Sequence, residues 1–192
     1  MATFLRSKPS IQSISVRRAT IAGWTLVELM IVLTIAALLL LIAVPSYFTW
    51  LAEYQLLNHA RLLAGSMNVA RSEAIKRGYR VNLCRSSDQR TCGGSGWQSG
   101  WLVYVDENRD GDIDVDEPVL HAEPPPTANI TVTANAPLRN YVSYTPLGSA
   151  RLLNGALQMG TFSLCRPGTR ELHVVLANSG RVRIEKTPAP CP

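Results

Sequence analysis

The sequence predicts an α+β protein in which one long N-terminal helix, partly transmembrane, packs on a small antiparallel β domain. Two observations carry this reading. The apolar residues that make up 46% of the 192-residue chain are crowded near the N-terminus, and beyond Gly78 the chain breaks into short β-type runs separated by Gly, Pro and Asn. The length suits one ordinary domain plus something extra. The net charge of +5 is also uneven. Arg6, Lys8, Arg17 and Arg18 precede the apolar segment with no acid among them, and without residues 1–23 fifteen cations face fourteen acids, a net of +1. Within that remainder, seven acids and only Arg109 lie between 106 and 117, whereas Arg139 onward carries seven cations and two acids. An acidic loop and a basic C-terminal region are what a partner would feel.

Leu29 to Val44 contains no charge, and extending back to Trp24 gives 21 residues interrupted only by Glu28. About 20 such residues span a bilayer as a helix. A secretory signal peptide has a shorter apolar core followed by a small-residue cleavage site; here the small residues, Ala22 and Gly23, precede the core. Glu28 needs a partner, because a carboxylate at mid-bilayer costs roughly 2.5–3.5 kcal/mol. Cleavage between Gly23 and Trp24 would supply one, a new α-amino cation four residues away on the same chain or on a neighbouring copy.

Gly23-Trp24-Thr25-Leu26-Val27-Glu28-Leu29 resembles the prepilin-peptidase motif of type IV pilins and pseudopilins. The resemblance implies that residues 1–23 are a leader removed after Gly23, that Trp24 becomes an N-methylated terminus in place of the usual phenylalanine, and that Glu28 guides docking into a filament. It implies prepilin peptidase, the inner membrane and other pilins or pseudopilins as partners, with the C-terminal domain periplasmic.

The elements follow in order. Residues 24–44 form the membrane and filament-core helix, and residues 45–78 its amphipathic continuation past Pro45, a potential kink. There Leu56, Leu63, Met67, Ala70 and Ala74 repeat at helical spacing, and Gly78 ends the run. His59 is placed on the exposed face. Residues 79–192 form the β domain, with strands at 79–84, 101–105, 118–121, 130–133, 141–145, 161–165, 171–177 and 181–185. No helix-length connection separates them, which predicts antiparallel pairing. Ala74-Ile75-Lys76-Arg77-Gly78, Gly100-Trp101 and Ser179-Gly180-Arg181-Val182-Arg183 before a terminal cysteine resemble, in that order, the FimT/GspH group of minor pilins and pseudopilins.

Four cysteines in an exported chain point to disulfides, and no C-x-x-C supports zinc. Of three connectivities, Cys84–Cys92 with Cys165–Cys191 is favoured; the second bridge would pin the proline-rich tail. Residues Asp106 to Glu117 fit the calcium-loop template, with Asp106, Asn108, Asp110, Asp112 and Glu117 as oxygen donors and Gly111 at the turn. The same composition also makes an acidic turn between strands without any metal. No metal or other cofactor is expected.

Two β-type runs flank Asn178-Ser179-Gly180, a short hairpin connection. Alternation puts Arg181 and Arg183 on one face, about 6.6 Å apart, with Val182 and Ile184 toward the core. Lys186 behind them and Arg166 and Arg170 on the preceding connection complete a candidate phosphate-binding set. In the FimT branch a Gly-Arg-x-Arg element of this kind, matching Gly180, Arg181 and Arg183, implies DNA binding during natural transformation. The alternatives are a solvated edge or a contact with another subunit. His59, His121 and His173 are scattered, and no H-E-x-x-H, G-x-S-x-G or P-loop is present, so no enzyme is expected. The function implied is a type IV minor pilin binding DNA without reading its sequence. A GspH-like pseudopilin of type II secretion and a minor pilin that primes pilus assembly are the alternatives.

Overall fold

The computed structural model describes residues 23, 25–126 and 129–191; Trp24 and the leader before Gly23 lie outside them. The first element is α1 (Leu26–Arg77). Thr25 precedes its first turn and accepts the Glu28 N–H on Oγ1 at 3.2 Å, so it caps the helix, while the Glu28 carboxylate sits at the positive end of the helix dipole. The helix assignment continues through Pro45 and stops before Gly78, which takes a positive φ of 74° and donates to the Ala74 carbonyl at 3.1 Å.

The chain divides after Ile42 into two units. In the first, every helix residue from Leu26 to Ile42 except Ala36 is exposed, and all but Glu28 and Thr34 are apolar. By length and composition α1 is apolar enough near its N-terminus to cross a membrane. The second unit begins at Ala43 and holds the core. Its helical part buries the stripe Ala52, Leu56, Ala60, Leu63, Met67, Ala70 and Ala74 against the sheets.

Eight strands follow: β1 (Arg80–Arg85), β2 (Trp101–Asp106), β3 (Val119–Glu123), β4 (Thr131–Ala134), β5 (Tyr141–Tyr144), β6 (Gly160–Cys165), β7 (Arg170–Leu176) and β8 (Val182–Pro190). They form two antiparallel four-stranded sheets, ordered β3-β2-β1-β5 and β4-β6-β7-β8. Val81, Leu83, Val103 and Val142 of the first sheet and Phe162, Leu164, Leu172, Val174 and Leu176 of the second meet the helix stripe in one core. On the outer face of the first sheet, Cys84, Leu102 and Tyr104 form a smaller cluster under Ile113.

The two disulfides are Cys84–Cys92 and Cys165–Cys191. The first closes a loop in which the Asp88 carboxylate accepts the backbone N–H groups of Thr91 and Arg90, each at 2.9 Å. Those bonds hold its carboxyl well below the usual carboxylate range. The second pins a tail that is itself a strand. β8 continues to Pro190, five residues past the predicted end, because it is an edge strand with only β7 as partner, where a residue lacking an N–H is tolerated.

One expectation is corrected. His59 lies on the buried face of α1 at 4% exposure, against Trp101 at 5.2 Å between ring centroids with the planes tilted by 59°, and with Nε2 unpartnered. It falls three residues after Leu56 and four before Leu63, which puts it on the core stripe. Burial lowers its pKa from the ordinary 6.5. The folded state therefore binds fewer protons than the unfolded chain, so this contribution to stability is complete above about pH 6.5 and is lost as pH falls below it. Thermal unfolding followed between neutral and mildly acidic pH should show a declining midpoint in wild type and a smaller decline in His59→Phe; equal declines would assign the acid sensitivity to other groups.

Candidate functional site

β7 and β8 form the hairpin that carries the predicted cations. Its turn is closed by Ala177 N–H to the Arg181 carbonyl at 2.9 Å and Gly180 N–H to the Ala177 carbonyl at 2.8 Å. Gly180 is buried with φ 80°, and a Cβ there would collide with the Gly148 carbonyl oxygen. The glycine is thus required by a close approach of two backbones as well as by its conformation. Arg71 on α1 completes the lock, donating from Nε to the Gly148 carbonyl at 2.9 Å and from Nη2 to the Ser179 carbonyl at 3.1 Å. Its position four residues after Met67 and three before Ala74 was the available signal that it lies beside the buried stripe.

The five predicted cations are not brought into one patch. Arg181 and Arg183 are exposed at the turn end of the hairpin, with Val182 and Ile184 half-buried between and beyond them. Arg183 pairs with Glu185 on the same face, which partly neutralises it. Lys186 stands opposite Leu172, and Arg170 opposite Pro190, toward the other end of the hairpin. These two side chains line a hollow against the helix and share the core-facing side of the sheet with Leu172, whereas Arg183 points away from it. Arg166, in the β6–β7 connection, donates to Gln55 of α1. The turn thus presents two arginines, and the far end a separate trio.

The acidic loop between β2 and β3 spends its side chains on itself. Asn108 donates to Asp110 and Asp114 at 2.8 and 2.9 Å, and Asp110 accepts the Asp112 N–H at 2.9 Å. Glu117 accepts the Glu107 and Asp114 N–H groups at 2.8 and 3.2 Å. Asp106 is buried and accepts from Asn82 at 2.6 Å, while Tyr104 donates to the Gly111 carbonyl at 2.6 Å and so ties the loop to the sheet. Among the described residues no group of three or more His, Cys, Asp or Glu is placed to hold a metal ion. His121 and His173 each lie 3.3 Å from a neighbouring glutamate, Glu123 and Glu171, far from one another along the two sheets.

A long apolar helix feeding two small antiparallel sheets, with the helix's second half in their core, is one half of the identification; residues 59–180 also match the family model described as type II transport protein GspH. The chain belongs to the GspH family. The matched stretch starts at buried His59 and ends at Gly180, so it includes Arg71, Gly148 and the turn they lock but stops one residue before Arg181. Among solved structures, the type IV minor pilin FimU of Pseudomonas aeruginosa strain PAO1 aligns with a TM-score of 0.52 at 15% identity, covering 71% of this chain and 96% of that one. A second crystal form of FimU aligns at 0.46 and 14%, covering 68% and 95%. At 15% identity the first of these alignments shows the fold of this GspH-family chain and nothing more. A comparison with curated proteins gives no match.

Proposed function

We propose that this GspH-family chain is a minor pilin, assembled into a filament through its exposed apolar helix, whose β7–β8 turn contacts the phosphate backbone of DNA. In this reading the leader ends at Gly23, Trp24 is the N-methylated terminus, and Glu28 pairs with the α-amino group of a neighbouring subunit, offsetting its cost in lipid. The observation that carries the DNA reading is the pair Arg181 and Arg183, exposed at the mouth of an edge strand whose turn is held to the helix by Arg71 and packed on Gly148 through Gly180. A held turn and the planar guanidinium fork reduce the freedom lost on meeting phosphate, and a backbone-only contact carries no sequence preference.

The test is a titration of the detergent-solubilised full chain with duplex DNA at several salt concentrations, beside Arg181→Ala/Arg183→Ala. The expected affinity falls steeply with salt, and the variant weakens binding while lowering the log–log salt slope by nearly 2, about 0.9 per lost phosphate contact. Absence of binding at about 50 mM salt would overturn this reading. The favoured account would then be a pseudopilin of type II secretion in which the turn is a subunit contact. Two observations support that second reading: the Arg183–Glu185 pair, which reduces the free charge at the turn, and the description of the matching family.

A further inference from the structure

The cations left over from the turn have a place of their own. Within the second unit, α1 carries Tyr47, Phe48, Trp50 and Tyr54, all more than half exposed. Trp50 stacks on Tyr54 with centroids 5.8 Å apart and planes 20° from parallel, and Tyr47 lies 6.2 Å from Trp50. Trp50 is six residues past Val44, the last residue of the apolar run, or about 9 Å of helix rise. Bilayer headgroups occupy this depth, and Trp and Tyr concentrate there because their rings are apolar and their edges polar. Solvent exposure of four aromatic rings within eight residues has no explanation in the core.

Beside these rings is a hollow of 380 Å³ lined by Trp50, Tyr54 and Glu53 from the helix and by Arg170, Leu172 and Lys186 from the second sheet. Two cations face one acid, and Arg166 is held at the next turn of the helix by Gln55. Arg170 offers a planar fork and Lys186 a compact charge, the two modes by which side chains bind phosphate. The walls contributed by Trp50, Tyr54 and Leu172 are apolar, which suits an amphiphile better than a free ion. We infer that this hollow seats the headgroup of an anionic phospholipid, with the phosphate on Arg170 and Lys186 and the glycerol backbone against the aromatic rings. The site rests on the helix being a membrane anchor and is independent of the DNA reading, since Arg181 and Arg183 lie at the other end of the hairpin. It would hold the subunit to the membrane before assembly draws the helix into a filament.

The experiment uses the full chain reconstituted in phosphatidylcholine bilayers with and without phosphatidylglycerol, then extracted and weighed by native mass spectrometry. Wild type should retain phosphatidylglycerol about thirtyfold over phosphatidylcholine, the preference two interfacial cations supply. Arg170→Glu/Lys186→Glu should abolish the preference, and Arg181→Ala/Arg183→Ala should keep it. Because charge reversal could disturb folding, Trp50→Ala/Tyr54→Ala serves as a second variant expected to reduce retention of both lipids. Equal retention of the two lipids by wild type would overturn the inference. So would displacement of the lipid by inorganic phosphate, or binding of a DNA oligonucleotide that is lost in Arg170→Glu/Lys186→Glu alone.

Discussion

Replacing Trp101 with alanine should lower the unfolding free energy by about 3–5 kcal/mol, the range for deleting a large buried aromatic. Trp101 opens β2, is fully buried, and joins the first sheet to α1: it packs in the common core, lies against His59, and donates its indole N–H to Ser66 Oγ at 2.9 Å. Alanine removes the area and the donor together, and leaves a cavity under α1. Trp101→Phe separates the two effects, since it keeps most of the area and leaves the Ser66 hydroxyl without its donor, at a cost of about 1–3 kcal/mol. Denaturant unfolding of the oxidised chain in detergent, followed by circular dichroism, measures both. If alanine cost no more than phenylalanine, the indole would not be the joint between helix and sheets.

Gly180→Ala should strongly destabilise the fold. The left-handed conformation at φ 80° costs a non-glycine residue about 1–2 kcal/mol. The collision of the new Cβ with the Gly148 carbonyl adds about 1–3 kcal/mol of overpacking, because the obstacle is backbone rather than a side chain that can swing away. A loss of about 2–5 kcal/mol is expected from the two together. Gly155→Ala is the control: its φ is 84° but nothing lies within 4 Å, so only the conformational part should appear. Equal losses at the two sites would remove the close approach as a cause. The same unfolding assay decides, and the sharper drop should come with loss of the Arg71 contacts that depend on the turn's position.

Much of this architecture was legible in the chain because it depends on local periodicity. The stripe from Leu56 to Ala74 and all eight strands read directly, as did the stop at Gly78, since one face of each element is apolar and the breakers fall between. Three things were not legible for physical reasons. Assignment of β4 and β5 to different sheets depends on pairings between distant segments, and neither strand's composition names its partner. Gln158, fully buried, accepts from Ser143 N–H and donates to the carbonyls of Pro137 and Tyr141, a role that no sequence pattern marks. β8 reads as ending at Glu185 because Pro188 and Pro190 are poor strand residues, and only its place at a sheet edge admits them. The candidate site was half legible. Alternation located Arg181 and Arg183, and the same parity applied one step further puts Lys186 with Val182 and Ile184 on the opposite side, where the structure has it.

The chain order of the sheets has a consequence for how the domain yields to force. After β1, β2 and β3 the chain enters the second sheet for β4, returns to the first for β5, and leaves again for β6 to β8. Three crossings stitch the sheets together, and both close over the same stretch of helix. Each sheet holds a strand whose chain neighbours belong to its counterpart, so strain on one is passed to the other through the connections. A pull along the helix from Ala43 onward is therefore expected to load both sheets together. In the proposed reading, a subunit drawn out of a bilayer by its helix would share that load between both sheets.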